Sequence, residues 1–282
     1  MVNTLLIRYL FFNQNHDRFY TDLNGFQMIG RKWYSKIPLQ GNVYPLNTMA
    51  FFEGLHKGQN LRFNIISGQP LGVTSSKTGT FDVFLDRRLT QDDARGLNQG
   101  VIDNKRTRET FRLLIEQPSA AVSVDNPKQT SGAMFESQSL LNPIIGMASS
   151  GPSKASSTGP ILPESATSHQ FLLPHSLPCD HHLLSLRRAT KRPTEVAILL
   201  HRFGLSCDSS CVVPAANNVS ISNLFPAFVL SKFQSNRLVP RGISLLDPPD
   251  EDTDRELPLS ASLNIPPMEI VAYIMYMKND NE

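Results

Sequence analysis

No run of the 282 residues is both long and apolar enough to cross a bilayer as a helix. The nearest approach, Met1 to Phe12, is interrupted by Arg8 and ends at Asn13. It also lacks the basic start and the small-residue cleavage site of a secretory leader, so it reads as a strand, or as a stretch from the interior of a longer protein that happens to begin with Met. Charge is scarce and balanced. Asp, Glu, Lys and Arg make up 18% of the chain, with 27 basic residues against 25 acidic ones. Such a balance sets up no broad field toward phosphates, which argues against nucleic acid and acidic membranes as partners. Several catalytic signatures are absent: there is no His-x-Asp or His-Glu-x-x-His spacing, no glycine-rich phosphate loop and no Gly-x-Ser-x-Gly elbow. Cysteine is limited to Cys179, Cys207 and Cys211. Three thiols cannot all pair, and either a short bridge from Cys207 to Cys211 or three reduced thiols fits the spacing.

What is present points to strands and turns. The 20 prolines and 16 glycines interrupt the chain too often for long helices. Period-two alternation recurs at Leu61, Phe63 and Ile65, at Phe81, Val83 and Leu85, and at Phe111, Leu113 and Ile115. From Ile270 to Tyr276 both faces are apolar, as in a central strand, and Ala197 to Leu200 is a shorter run of the same kind. Asp22 to Gly25 and Ser76 to Gly79 supply turns. From about Gln117 to His169 the composition shifts to Ser, Pro, Gly, Ala and Thr without periodicity, which predicts a flexible insertion. Asp247 to Arg255, acidic and Pro-containing, reads as a solvated loop. The expected organisation is a β portion over 1–116, a linker over 117–169 and a second β portion over 170–282.

The densest polar stretch follows the run that ends at Leu85. Arg87, Arg88, Asp92, Asp93 and Arg95, closed by Gly96 and Gly100, make a loop that guanidinium-carboxylate pairs can stiffen and present at a sheet edge. Arg and Asp also offer the paired donors and acceptors that vicinal sugar hydroxyls require. The plainer reading is that these charges only hold a long loop in shape. Asp92 and Asp93 are adjacent and cannot flank a glycosidic bond as a catalytic pair. Cys179-Asp180-His181-His182 contains four side chains able to ligate a metal, yet on a strand from Ser176 to Leu186 His181 and His182 point to opposite faces and cannot close on one ion. No metal site is therefore expected in this chain. Asn218-Val219-Ser220 is a glycosylation acceptor, of consequence only in the secretory pathway.

A family resemblance goes beyond composition. Phe19 to Gln27 (FYTDLNGFQ) and Leu39 to Pro45 (LQGNVYP) resemble segments of glycoside hydrolase family 38, the α-mannosidases. Gln69 to Val73, Asp86 to Leu89, Gln91 to Leu97, Asp103 to Lys105, Ser176 to Leu183, Ile198 to Arg202 and Pro267 to Ile270 follow in that family's order. Gly41 stands where Ala is usual, and Asn98 where Gly or Glu is usual. The resemblance is to the Golgi-type enzymes more than to the lysosomal one, and to their carboxy-terminal β region only. It implies an all-β fold, a large antiparallel β-sandwich of mutarotase-like type with a smaller carboxy-terminal sandwich. It implies too that the complete enzyme is a retaining, zinc-dependent exo-mannosidase that trims mannose-containing N-glycans in the Golgi lumen, with zinc and the nucleophilic Asp in an amino-terminal catalytic domain whose motifs do not occur here. On this reading Arg87 or Arg88 reaches the rim of the active site, and a luminal Cys207–Cys211 bridge is favoured. The chain alone is then an inactive fragment, splice form or truncated product. The alternative is a non-catalytic carbohydrate-binding or interaction module.

Overall fold

The computed structural model describes residues 2–10, 18–89, 92, 94, 96, 98–100, 108–118, 121–145, 177–188, 194–206, 218–224, 233–241 and 257–277. For 2–10, 86–89 and 233–241 the description covers the backbone alone. The acidic break at 247–255 lies outside the described residues. The chain divides into two compact units.

The first unit, Met1–Pro143 with Gly204–Ser209, contains β1 (Val2–Leu10), β2 (Arg18–Leu23), β3 (Gln27–Lys32), β4 (Tyr44–Leu46), β5 (Met49–His56), β6 (Gln59–Ser67), β7 (Leu71–Thr74), β8 (Thr80–Leu89) and β9 (Phe111–Glu116). These strands pair into two antiparallel sheets, ordered β1-β8-β7-β4 and β3-β2-β5-β6-β9. Alternation decides what lies between them. Phe19, Ala50, Phe52, Phe63 and Ile65 from the five-stranded sheet meet Leu46, Val73, Phe81 and Val83 from the four-stranded one, all buried. Phe81 sits at the centre, its ring 4.7 Å from Phe52, 5.9 Å from Phe19 and 6.3 Å from Phe63 between centroids. Each such side chain contributes about 1.5–3 kcal/mol through removal from water. The alternating runs marked these strands, and the antiparallel sandwich they form is the one the family resemblance implied.

A third layer covers the opposite face of the five-stranded sheet. Tyr20, Met28, Met49, Phe51 and Ile66 pack there with Ala133 of the helix α1 (Ser131–Leu141). Met49 to Gly54 of β5 is buried on both faces as a result. The helix corrects the flexible segment expected from residue 117, at least as far as residue 145. Thr130 caps α1 by accepting from the Ala133 amide at 3.1 Å, while its hydroxyl donates to the Glu116 carboxylate. Gly132 passes so close to Glu116 that a β-carbon would lie 2.9 Å from Oε1. The helix is held by a cap, a close backbone approach and small buried residues rather than an apolar stripe, so hydrophobic periodicity could not reveal it. Residues 146–169 of the same expected insertion lie outside the described residues.

Beneath this layer lies an ion pair. Arg62, 2% exposed, donates from Nε at 2.9 Å and from Nη2 at 2.6 Å to Oε1 of Glu53, itself 8% exposed. The guanidinium lies 4.2 Å from the Phe51 ring centroid and donates to the Lys128 carbonyl, while Glu53 Oε2 accepts from the Val122 amide. The pair thus fastens residues 122–128 to the sheet. One expectation about β9 is adjusted: Leu113 and Ile115 are 49% and 58% exposed, although Phe111 beside them packs on the core. β9 pairs with β6 and ends its sheet, so alternation marked the strand but not its position at an edge.

The second unit, Ile144–Phe203 with Ser210–Glu282, contains β10 (His181–Arg188), β11 (Glu195–Arg202), β12 (Asn218–Ser220), β13 (Phe233–Arg241), β14 (Ser262–Asn264) and β15 (Ile270–Met277). A four-stranded antiparallel sheet runs β10-β11-β15-β13, with a smaller β12-β14 pair. β15 lies inside its sheet, as its two apolar faces suggested. Val196, Ile198, Leu200, Tyr273 and Met275 of the larger sheet pack against Val219, Ile221, Leu259, Leu263 and Ile265, giving this unit its own core.

Replacing Glu53 by Gln leaves the Arg62 charge buried without its counter-charge. Urea titration of the purified chain is expected to show a loss of about 3–5 kcal/mol in the transition of the first unit; a loss below about 1 kcal/mol would mean that the pair is not what fastens residues 122–128.

Candidate functional site

The polar loop singled out in the sequence begins on β8. Arg87 and Arg88 lie in its last turn of pairing, opposite Thr4 and Asn3 of β1, where a bulge between Leu5 and Leu6 shifts the register across residues 84–86. Their side chains are outside the described residues, as are Asp93 and Arg95 entirely. Asp92 is exposed. The backbone turns into the left-handed region at Ala94 (φ 57°), Gly96 (φ 105°) and Asn98 (φ 52°). Three left-handed residues at alternate positions demand glycine or tolerate asparagine, which explains Asn98 in place of Gly; Ala94 carries the strain. Among the described residues no side chains converge here on a point.

The motif residues that carry the family resemblance are occupied structurally. Asp22 Oδ1 accepts from the amides of Asn47 (3.0 Å), Thr48 (2.9 Å) and Met49 (3.1 Å), and Oδ2 accepts from Gly25 (2.7 Å). The β2–β3 turn and the start of β5 therefore share one carboxylate. Asn42, fully buried, accepts from the Tyr34 amide and donates to the carbonyls of Tyr34, Ile37 and Pro38. A β-carbon at the neighbouring Gly41 would collide with Ile37 Cγ2, so glycine here goes with that isoleucine. Asn64 and Glu116 were not singled out by sequence; Asn64 Nδ2 donates to Glu116 Oε2 at 2.8 Å, joining β6 and β9 through side chains. Glu116 next to an alternating apolar run was the available signal.

In the second unit, Asp180 organises the start of β10. Its Oδ2 accepts from Arg202 Nε at 2.7 Å, its Oδ1 is 2.8 Å from His181 Nδ1, and its carbonyl accepts from the Phe203 amide. Arg202 also donates to the Ile265 carbonyl. Burial pushes the His181 imidazole below its ordinary range, outweighing the Asp180 carboxylate that draws it up. The ring is then neutral, donating from Nδ1, and its Nε2 is buried without a hydrogen-bond partner. His182, opposite His201 in the ladder, stacks on Phe203 with the planes 10° apart, and burial lowers it too. The two histidines are engaged with different partners, and no group of three His, Cys, Asp or Glu side chains suited to a metal occurs among the described residues. The strand begins at His181, behind a turn at Cys179 and Asp180.

Cys179 is disulfide-bonded. Cys207 and Cys211, and with them the expected Cys207–Cys211 pair, lie outside the described residues.

The described residues form an all-β chain of two units in which Asp22 and Asn42 of the matched motifs hold backbone segments together, and comparison with known proteins gives the family. Residues 2–95, a span that includes Arg87, Arg88, Asp92, Asp93 and Arg95, match the glycosyl hydrolases family 38 C-terminal domain. The chain belongs to glycoside hydrolase family 38, as part of its carboxy-terminal region. It is 38% identical over 276 residues to α-mannosidase 2 of Mus musculus, covering 92% of this chain and 22% of that protein. With α-mannosidase 2 of Arabidopsis thaliana the identity is 33% over 302 residues, covering 97% and 25%. Lysosomal α-mannosidase of Homo sapiens is 26% identical over 234 residues, covering 79% and 21%. The chain spans a quarter or less of the length of these relatives, and the α-mannosidase 2 proteins are the more similar, as the motifs suggested.

Two outcomes are expected for the second unit. Non-reducing peptide mapping should recover Cys179 in a disulfide-linked peptide, and a Cys179 peptide alkylated without prior reduction would contradict the bond. Because His181 and His182 lie below the ordinary 6.5 when folded, their contribution is fully present above that pH and is lost as the unfolded chain takes up protons below it. The urea midpoint of this unit, followed from about pH 8 to about pH 5, should hold steady and then fall, less steeply in His182→Phe. A midpoint that rises on acidification rules the account out.

Proposed function

We propose that this chain forms the carboxy-terminal β region of an α-mannosidase acting on mannose-containing N-glycans, and that it supplies a buttress and a rim loop rather than the bond-breaking groups. The observation that carries the reading is the match over nine-tenths of the chain to the carboxy-terminal part of α-mannosidase 2 proteins. In this reading zinc and the nucleophile of retaining hydrolysis belong to an amino-terminal catalytic domain, which is the principal partner of this chain. The described residues contain no set that fits zinc.

The loop that leaves β8 is assigned to the rim, with Arg87 or Arg88 donating paired hydrogen bonds to substrate hydroxyls and Asp92, Asp93 and Arg95 shaping the approach. The left-handed residues at 94, 96 and 98 support a fixed loop course, suited to presenting such groups. A luminal setting, in the Golgi for the complete enzyme, is supported by the Cys179 disulfide and by the exposure of Asn218, the glycosylation acceptor, at the start of β12. No helix among the described residues is long and apolar enough to cross a membrane.

The test is a chimera in which this chain replaces the matching region of mouse α-mannosidase 2, assayed with a chromogenic mannoside and with a mannose-terminated N-glycan. The chimera is expected to turn over both, and the 282-residue chain alone neither. Arg87→Ala or Arg88→Ala, whichever faces the rim, should lower kcat/KM for the glycan by about tenfold or more, as for a lost charged hydrogen bond. A folded but inactive chimera, or activity in the isolated chain, contradicts the reading.

A further inference from the structure

Two polar clefts in the first unit share Lys32 and flank the run Lys32, Trp33, Tyr34, which leaves the edge strand β3. The larger has a volume of about 460 Å³ and is lined by Arg18, Arg31, Lys32, Tyr34 and Asp125 together with the β3 backbone. The smaller, about 220 Å³, is lined by Lys32, Trp33, Lys77 and the hydroxyl residues Ser35, Ser76 and Thr78. Four cations therefore stand along this surface against one carboxylate, in a chain whose 27 basic and 25 acidic residues nearly cancel. The concentration is local, and Trp33 is the only tryptophan of the chain.

Parts of this surface are fixed in advance. Arg31 donates from Nε to Thr21 Oγ1 at 3.0 Å, and its guanidinium lies 5.0 Å from the Tyr44 ring centroid. Tyr44 in turn donates its hydroxyl to the Lys32 carbonyl. Tyr34 is clasped at both backbone polar atoms by the buried Asn42. Ser76, which lines the smaller cleft, donates to Asp82, a buried carboxylate that is not part of the lining. Groups held in place before a ligand arrives lose little freedom on binding it.

We propose that this surface binds an acidic oligosaccharide, with sugar rings lying across Trp33 and Tyr34 and with sulfate, carboxylate or phosphate substituents meeting Arg18, Arg31, Lys32 and Lys77. Flat amphipathic rings and hydroxyls match the alternating faces and edges of a saccharide, and an arginine fork with two lysines matches its anionic groups. The larger cleft falls within the size of ordinary small-ligand sites. The two clefts share Lys32 in their linings, so one chain of sugars that reaches both would pass that side chain.

The proposal stands apart from the mannosidase reading: an inactive chimera leaves it untouched, and absence of binding here says nothing against that chimera. Calorimetric titration of the 282-residue chain with a sulfated heparin tetrasaccharide tests it. Binding is expected, weakening as sodium chloride is added, and falling by about tenfold or more in Trp33→Ala and in Lys77→Glu, through lost ring contact and reversed charge. Lys32→Glu, at an exposed position where folding is checked by circular dichroism, should lose binding as well. No binding, equal binding of uncharged mannotetraose or of inorganic sulfate, indifference to all three substitutions, or tighter binding of a charge-matched single-stranded oligonucleotide each overturns the proposal.

Discussion

A carboxylate removed from water has to be fully partnered, and in this chain that requirement joins the pieces. Asp22, Glu53, Glu116 and Asp180 each sit at a strand or its end, and each reaches to a segment far away in sequence. Asp22 gathers three consecutive amides at the entrance to β5. Glu53 neutralises Arg62 and holds Val122. Glu116 takes the hydroxyl of the residue that caps α1. Asp180 gathers Arg202, His181 and the Phe203 amide. Without these ties the sheets would keep their aromatic core, but the turns, the helix and the hairpin start would lose the contacts that fix them.

This arrangement separates two meanings of a polar motif. FYTDLNG and LQGNVYP look functional because they are polar, glycine-containing and specific. In the structure Asp22 and Asn42 are saturated with backbone partners and have no capacity left for a substrate. The specificity of the motif comes from the geometry of one turn meeting another strand. Asp22 and Asn42 therefore belong to the scaffold, and their motifs mark a fold rather than a ligand site.

Much of the fold was legible in the sequence, where a pattern had a period. Phe81 and Val83 alternate because one face of β8 is core, and Ile270 to Tyr276 is apolar on both faces because β15 lies inside its sheet. The helix was not legible: Gly132, Ala133 and Ser137 approach the sheet because they are small, and smallness in a Ser- and Gly-rich stretch looks like a linker. Exposure of Leu113 and Ile115 was equally hidden, since alternation says which residues share a face and not whether a neighbour covers it. The candidate site was legible only as composition. Arg87, Arg88 and Asp92 are placed on a strand end and an exposed loop, but the partners of a loop are set by tertiary structure.

The central claim is that the segment from Val122 to Leu141 is an integral layer of the first unit, tied down through Glu53 and Glu116. Amide hydrogen exchange measures this directly. The amides of Val122, Ala133 and Met134 are expected to exchange as slowly as those of Phe52 and Phe63 in the sandwich core, all opening together. Rapid exchange across 122–141 while the core stays protected would show a detached segment and contradict the account.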